Sequence, residues 1–316
     1  MTTSKPTQAQ IDRRAFIAAG ITVVLWASAF VGIRDVADTF SPGSIALGRL
    51  AVAVLALGPL LLRQGWQPMS RRNVVLVVAS GLLWYALYFV VLNEAERHVD
   101  AGTASMLVNT GPIFVGLFAG LFLGESIPRR LLLGLAVAFG GAAVVGIATS
   151  SGGAGSGAST LGIVLCLVAA VSYAAGVTLQ KPASAHMPAL QLTWLACFTA
   201  MVATLVFAPQ LISEVAVAPL PKIGWLVYLG LAPTALGFTT WAYALSHTPA
   251  GRLGVTTYLI PPVVIGLAWL LLGEVPPLLA IVGGAICVLG VVIVRTPTLR
   301  LPSPLRAKPR EEITPT

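Results

Sequence analysis

Charged residues are scarce in this chain. Asp, Glu, Lys and Arg together make up 9% of its 316 residues, whereas hydrophobic residues make up 57%. A soluble domain carries roughly 25% charged residues, and a soluble chain of this length could not hide so much apolar surface from water. The composition therefore predicts an integral membrane protein that crosses the lipid bilayer several times.

Side chains that could bind a metal or carry out catalysis are few as well. Cys166, Cys197 and Cys287 lie within apolar runs, where a cysteine is typically a small packing residue. The three histidines fall near the ends of such runs without the spacing of a metal site. The glycine-rich stretch 152–157 lacks the Lys-Ser/Thr ending of a phosphate-binding loop. We therefore expect no enzyme activity, no catalytic residue and no metal or cofactor.

Acidic residues number only 11, and each falls in a loop, a tail or at the end of an apolar run. This placement argues against proton coupling through a carboxylate at mid-membrane, and against a strongly cationic substrate. Glu94 is the nearest exception, because it could turn inward at the end of the third run. The net charge of +8 comes from basic residues between the apolar runs and at the chain ends. Such charges set membrane orientation, so we expect no nucleic-acid partner.

Internal repetition is the main positive feature of the sequence. The stretch from Pro112 to Glu125 is echoed by the stretch from Pro261 to Glu274, and the shift is 261 − 112 = 149 residues. The same shift pairs several further glycines, prolines and aromatics without a gap: Gly81 with Gly230, Phe89 with Phe238, Pro128 with Pro277, Gly134 with Gly283, and Gly141 with Gly290. Chance rarely aligns such residues over about sixty positions, so the chain contains two copies of one unit.

Apolar runs predict ten transmembrane helices in two groups of five. The Arg13-Arg14 pair before the first run resembles an export signal, but nine further runs follow, so we interpret this run as a first span. The predicted segments are a tail over 1–14, a first repeat over 15–149, a Ser/Gly linker over 150–160, a second repeat over 161–295, and a tail over 296–316.

Basic residues predict the orientation of these spans. With the N-terminus inside, the inner segments hold 15 Lys and Arg residues and the outer loops hold three, namely Arg34, Arg97 and Lys222. Both termini are therefore expected in the cytoplasm, with the protein in the plasma membrane. Five crossings are an odd number, so the second repeat must be inverted relative to the first. The predicted fold class is an all-α integral membrane protein of ten helices in two inverted five-helix repeats.

Several motifs resemble those of the EamA family of the drug/metabolite transporter superfamily. They are Trp26-Ala-Ser-Ala-Phe30, Arg49, the repeated Pro…Leu-Gly-Glu element, and the Ala-Gly pairs at 101–102 and 250–251. The resemblance implies a carrier that moves small metabolites, often amino acids or related compounds, usually outward. It also implies that spans five and ten are peripheral while the others surround a central cavity. The alternative is an integral-membrane enzyme or sensor for a small hydrophobic ligand.

Polar and aromatic residues at membrane depth are the candidate substrate pathway. Arg49 is the charge well inside a span, where it would attract a substrate carboxylate or else snorkel to the interface. The other candidates, which could instead serve helix packing, are Trp26, Ser28, Trp84, Tyr85, Tyr88, Asn109, Tyr173, Trp241 and Tyr258. Pro112 and Pro261 sit at matching places and are predicted to kink spans four and nine as hinges, or merely to shape them. A homodimer is possible but is not required by the sequence.

Overall fold

The structure is a computed structural model that describes residues 8–123, 129–150, 159–247 and 256–295. Every regular element within these residues is helical. The α-helices are α1 Gln8–Val36, α2 Pro42–Gln64, α3 Arg71–Ser80, α4 Tyr88–Ala95, α5 Ala101–Val108, α6 Gly111–Leu123, α7 Arg129–Ser150, α8 Thr160–Ser184, α9 Ala189–Thr204, α10 Ala208–Val217, α11 Leu220–Leu229, α12 Gly237–His247, α13 Ile260–Leu272 and α14 Leu278–Arg295. Short 3₁₀ turns cover Leu205–Phe207 and Thr257–Leu259.

Within the residues that the structure describes, seven helical segments are long and apolar enough to cross a membrane. They are Arg13–Val36, Pro42–Gln64, Arg71–Ala95, Ala101–Phe122, Thr160–Ser184, Ala189–Val217 and Leu220–His247. Ile260–Leu272 and Leu278–Gly290 are shorter apolar helices. The chain is therefore an all-helical, multi-pass membrane protein. That it has ten spans stays a prediction.

Polar caps define where several of these helices begin. The side chains of Ser41, Ser70 and Ser159 accept hydrogen bonds from the backbone N–H three residues later, as Asp100 does from Thr103. Each cap satisfies an N–H that the first helical turn leaves without a partner. These caps lie between apolar runs, so they place the ends of the spans.

The second Leu-Gly-Glu element ends a helix, as the sequence indicates. Gly273 follows α13 with a φ of 67°, a left-handed conformation that favours glycine. The Glu274 N–H then donates to Ala268 O, which closes the helix end. The first copy, with Glu125, lies outside the described residues.

Two π-helical turns occupy equivalent positions in the two repeats, at Gly81–Leu87 and Gly230–Leu236. Their boundaries differ by 230 − 81 = 149 residues, the shift found in the sequence. The glycine that begins each turn lies against a neighbouring backbone: a Cβ at either would be 2.8 Å from a carbonyl oxygen, of Ala196 or of Arg49. The repeats therefore share a backbone irregularity that hydrophobic periodicity does not predict.

Helices α7 and α14 pack closely through their glycines. A Cβ at Gly141 would lie 2.5 Å from Gly283 O, and one at Gly290 would lie 2.5 Å from Gly134 O. Between these contacts, Cys287 Sγ donates to Ala138 O at 3.2 Å. The later residue of α7, Gly141, meets the earlier residue of α14, Gly283, and Gly134 meets Gly290. The two helices therefore run antiparallel. Close approach of small residues is the usual basis of such packing in membranes.

Helix is interrupted just before Pro112 and Pro261, where the sequence predicts kinks, and the role of these prolines as hinges stays a prediction. α5 ends at Val108 and Pro112 is the second residue of α6, while Pro261 is the second residue of α13 after a 3₁₀ turn. An N–H at this position has no intrahelical partner, so proline removes no helical hydrogen bond there. Both prolines therefore begin helices, and the interruption precedes them.

Candidate functional site

A central cavity lies among α1, α2, α4, α5, α8 and α12. It holds about 650 Å³ between its lining atoms, including the open space at its mouth. Six of the predicted pathway residues line it, namely Trp26, Arg49, Trp84, Tyr88, Asn109 and Tyr173. The other lining residues are Ala29, Phe30, Ile33, Phe89, Leu92, Ser105, Val108, Phe238, Thr257 and Ile260. The wall is therefore mostly aromatic and aliphatic, with a few polar groups.

Arg49 provides the positive charge of the cavity wall. Its side chain is only 3% exposed, so it does not snorkel to the interface. Nε donates to Thr234 Oγ1 at 2.9 Å, and the guanidinium lies 3.9 Å from the centroid of the Phe89 ring. This arrangement fixes the plane of the guanidinium, and Nε–Thr234 is its one hydrogen bond within the described residues. The two terminal nitrogens are therefore free to bind a ligand.

A π-helical turn holds the partner of Arg49 in place. Thr234 donates its own hydroxyl hydrogen to Leu229 O, five residues earlier, at 2.6 Å. The Thr234 hydroxyl therefore accepts from Arg49 with a fixed orientation. The contact joins α2 of the first repeat to the π-turn of the second, so both repeats build the charged part of the site.

Trp26 is the centre of the aromatic wall. Its ring centroid lies 5.0 Å from Trp241, 5.1 Å from Phe238 and 6.3 Å from Trp84. The indole N–H groups of Trp26 and Trp241 are buried, and neither has a hydrogen-bond partner in the part of the chain that the structure describes. A buried donor without a partner costs free energy. The Trp26 ring lines the cavity, while its buried N–H lies beside Gly237 of α12.

Some predicted residues lie away from the cavity. Tyr85 is buried against Phe238, with ring centroids 4.6 Å apart, and Trp241 packs behind Trp26. Ser28 shares a hydrogen bond with the Tyr228 hydroxyl at 2.7 Å. The side chain of Tyr258 lies outside the described part of the structure.

Phe89 and Phe238 line the cavity but were not among the predicted pathway residues. The 149-residue shift pairs them, so the repeat itself could have identified them.

Asn109 Nδ2 donates to Thr257 O at 3.3 Å. This bond joins the interruption after α5 to the 3₁₀ turn before α13.

Charged residues gather at one end of the bundle, which we call the Glu96 end: Arg34, Glu96, Asp100 and Glu274. Arg34 Nε donates to Glu274 Oε1 at 2.8 Å, and its Nη1 donates to the backbone oxygen of Glu96 at 2.8 Å. Asp100 accepts from the N–H and hydroxyl of Thr103. The ion pair joins α1 to the segment after α13 and so ties the two repeats together.

Glu96, rather than Glu94, is the carboxylate that turns inward. Glu94 pairs with His98 at 2.9 Å and its side chain is 38% exposed, so it does not turn inward, an orientation that the sequence left open. Glu96 is 0% exposed, and neither of its carboxylate oxygens has a hydrogen-bond partner among the described residues. Burial raises the pKa of Glu96 well above its usual range, although Arg34 and Arg49 oppose the shift. Glu96 follows the last residue of a span, which is why its burial escaped the sequence pattern.

Comparison with known proteins places this geometry in a family. The EamA-like transporter family matches the chain twice, over residues 13–147 and 160–296. A "Probable terminal-alkyne amino-acid exporter" of Streptantibioticus cattleyicolor is 37% identical over 88% of this chain and 92% of its own length. The "Pseudopaline exporter CntI" of Pseudomonas aeruginosa strain PAO1 is 31% identical over 82% of this chain and 88% of its own length. The "Uncharacterized transporter YdfC" of Bacillus subtilis is 30% identical over 87% of this chain.

A solved crystal structure shares the fold. It superposes with a TM-score of 0.57 at 18% identity and covers 88% of this chain and 95% of the other. At that identity the likeness concerns the fold alone. The twofold match of the family and the identity to its exporters show that this chain is a member of the EamA-like transporter family.

Proposed function

We propose that the protein exports a small amino acid or related carboxylate-bearing metabolite across the plasma membrane. The observation that carries this proposal is Arg49, a buried cationic residue in the wall of a largely aromatic cavity. A charge in the membrane interior is costly and is typically part of a substrate or ion pathway. The names of two relatives describe exporters, and one of them, the probable terminal-alkyne amino-acid exporter, points to an amino acid as cargo.

Arg49 binds the cargo carboxylate in this proposal. Guanidinium and carboxylate form paired, charge-assisted hydrogen bonds that are stronger than neutral ones. Thr234 and Phe89 hold the guanidinium from one side and so reduce the ordering that cargo binding requires. The apolar part of the cargo lies against Trp26, Trp84 and Phe238.

Alternating access between two inverted five-helix repeats carries the cargo across. Three features support this mechanism: the antiparallel α7–α14 pair, the matching π-turns, and the matching helix interruptions before Pro112 and Pro261. Equivalent helices that run in opposite directions are what an inverted repeat requires. We place both termini in the cytoplasm on the basis of the basic residues, so the Glu96 end faces outward.

Transport assays with a defined probe pair test the function. Inside-out vesicles that contain the full chain are given a terminal-alkyne amino acid, or its primary amide, which lacks the carboxylate. We expect accumulation of the amino acid, little accumulation of the amide, and loss of both signals in vesicles without the protein. Preference for the amide would contradict the carboxylate proposal.

A second measurement addresses cargo identity and the enzyme or sensor alternative. Metabolites in the medium are compared between cells that overexpress the protein and cells that lack it. An exporter enriches carboxylate-bearing compounds in unchanged form. A chemically altered compound, or no difference at all, would favour the alternative.

A further inference from the structure

The carboxyl group of Glu96 is buried without the partners that an ionised carboxylate needs. Its two oxygens accept no hydrogen bond within the described residues, and its side chain is 0% exposed. The nearest cation of the Glu96 end is already engaged: Arg34 binds the carboxylate of Glu274 and only the backbone oxygen of Glu96. An unpaired buried charge is strongly unfavourable, and a carboxyl group avoids this cost by holding a proton.

Glu96 lies one helical turn beyond the cavity wall. Its N–H donates to the oxygen of Leu92, which lines the cavity, at 3.0 Å. The charge of Arg49, in the same wall, interacts with that of Glu96. The titratable and charged groups that face Glu96 from the surrounding elements are Arg34, Arg49, Tyr88, Asp100, Cys166 and Glu274. The two cations favour its ionised form, whereas burial and the carboxylates of Glu274 and Asp100 oppose it.

We propose that Glu96 is a proton-binding switch that controls how strongly Arg49 holds the cargo carboxylate. While the Glu96 end is closed, the carboxyl group is neutral and leaves the charge of Arg49 to the cargo. When that end opens, water can solvate the carboxylate, and the proton leaves to water. The negative charge on Glu96 then offsets the positive charge of Arg49 and weakens its hold on the cargo. This inference rests on the proposed function, because it takes Arg49 as the cargo site.

The switch makes cargo binding and proton binding mutually dependent. The cargo-bound closed state carries one more proton than the open state, so cargo affinity falls as pH rises. The fall occurs above the ordinary carboxyl pKa of about 4.3 and can reach about tenfold per pH unit when one full proton is linked to binding. By the same linkage, cargo binding must take up protons from unbuffered solution.

Glu96→Gln and Glu94→Gln form a matched pair of variants, two residues apart on one helix end. Binding of the terminal-alkyne amino acid to the purified full chain is measured between pH 6 and pH 8. We expect the wild type and Glu94→Gln to lose affinity as pH rises. Glu96→Gln should bind at the strong, low-pH level throughout. The switch would be overturned if the affinity of Glu96→Gln still fell as pH rises. It would also be overturned if the fall disappeared in Glu94→Gln, which would point instead to the pair of Glu94 and His98.

An infrared measurement without cargo separates this inference from the transport proposal. As the pH is lowered from 8 to 6, the wild type and Glu94→Gln should gain the absorption of a protonated carboxyl group, because the open form takes up its proton in this range, whereas Glu96→Gln should not gain it. No difference among the three would overturn the proposal, whatever the cargo. If that absorption is found but the amino acid does not bind at any pH, the assignment of the cargo is wrong, while Glu96 still holds a proton.

Discussion

Phe89 and Phe238 meet at the central cavity with their ring centroids 6.1 Å apart, and they are equivalent residues of the two repeats, since 238 − 89 = 149. Ala138 and Cys287 form a second contact of this kind, because Cys287 Sγ donates to Ala138 O and 287 − 138 = 149. Contacts between equivalent residues lie close to the axis that relates two repeats. One contact is at the central cavity and the other is between α7 and α14, so in the proposed inverted arrangement the axis passes beside the cavity.

Replacing Arg49 should abolish most transport. We expect Arg49→Gln to reduce the initial rate at least tenfold, because the paired hydrogen bonds to a carboxylate are lost. Arg49→Lys should retain partial activity, since it keeps the charge but not the planar fork. Arg63→Gln, an exposed position in the last turn of the same helix, is the control and should transport normally. Normal rates in Arg49→Gln would remove Arg49 from the cargo site.

Tyr88 and Tyr85 should separate transport from stability. Tyr88 lines the cavity, whereas Tyr85 is buried behind it against Phe238. We expect Tyr88→Leu to lower the transport rate severalfold with little change in the amount of folded protein. Tyr85→Leu should instead lower the free energy of unfolding by about 1–3 kcal/mol and leave the rate per folded molecule unchanged. Both are read from vesicle transport normalised to protein that elutes as a single species in detergent. Equal losses in the two variants would mean that both side chains only pack.

Gly141 should be intolerant of even one methyl group. A Cβ there would lie 2.5 Å from Gly283 O and 2.6 Å from the backbone nitrogen of Cys287, and backbone atoms cannot move aside. We expect Gly141→Ala to reduce the free energy of unfolding by about 1–3 kcal/mol, measured by thermal unfolding in detergent. Gly140→Ala, where a Cβ would meet nothing within 4 Å, should be neutral or slightly stabilising. A stable Gly141→Ala variant would contradict the close packing of α7 and α14.

Reporter fusions test the orientation derived from the basic residues. A reporter at Ser156 should be active outside the cell, and reporters at Arg71 and at the C-terminus should be active in the cytoplasm. A cytoplasmic signal at Ser156 would contradict both the number of ten spans and the inverted relationship of the repeats. The test is independent of cargo.

Substitution of the two helix-starting prolines tests their role as hinges. Because Pro112 and Pro261 are the second residues of α6 and α13, Pro→Ala at either should cost little stability. If the interruptions before them are hinges, an alanine lets the helix extend backward and stiffens that half of the site. Labelling of single cysteines, introduced after replacement of the three native ones, should then shift toward opposite faces of the membrane in the two variants. Unchanged labelling in both would leave the prolines with a role in shape only.

Composition and repetition were enough to predict the general character of this protein. An excess of apolar over charged residues indicates that the chain lies in a membrane rather than in water. No individual contact is needed for this inference, because the free-energy cost of exposing apolar surface to water adds up along the chain. The duplication depends on residue identity at a fixed spacing and identified the two copies that the family match also finds. Membrane depth, read from position within an apolar run, predicted six of the residues that line the cavity.

The tertiary structure decided which of the polar groups interact. Tyr85 and Tyr88 lie about one turn apart, yet only Tyr88 lines the cavity, because Tyr85 packs against the ring of Phe238. Glu94 and Glu96 are both at the end of one span, and the packing of Arg34, Asp100 and Glu274 around that end buries only Glu96. Burial depends on what neighbouring helices place around a side chain. Linear position in an apolar run carries no information about those neighbours, so the buried carboxyl group could be identified only from the fold.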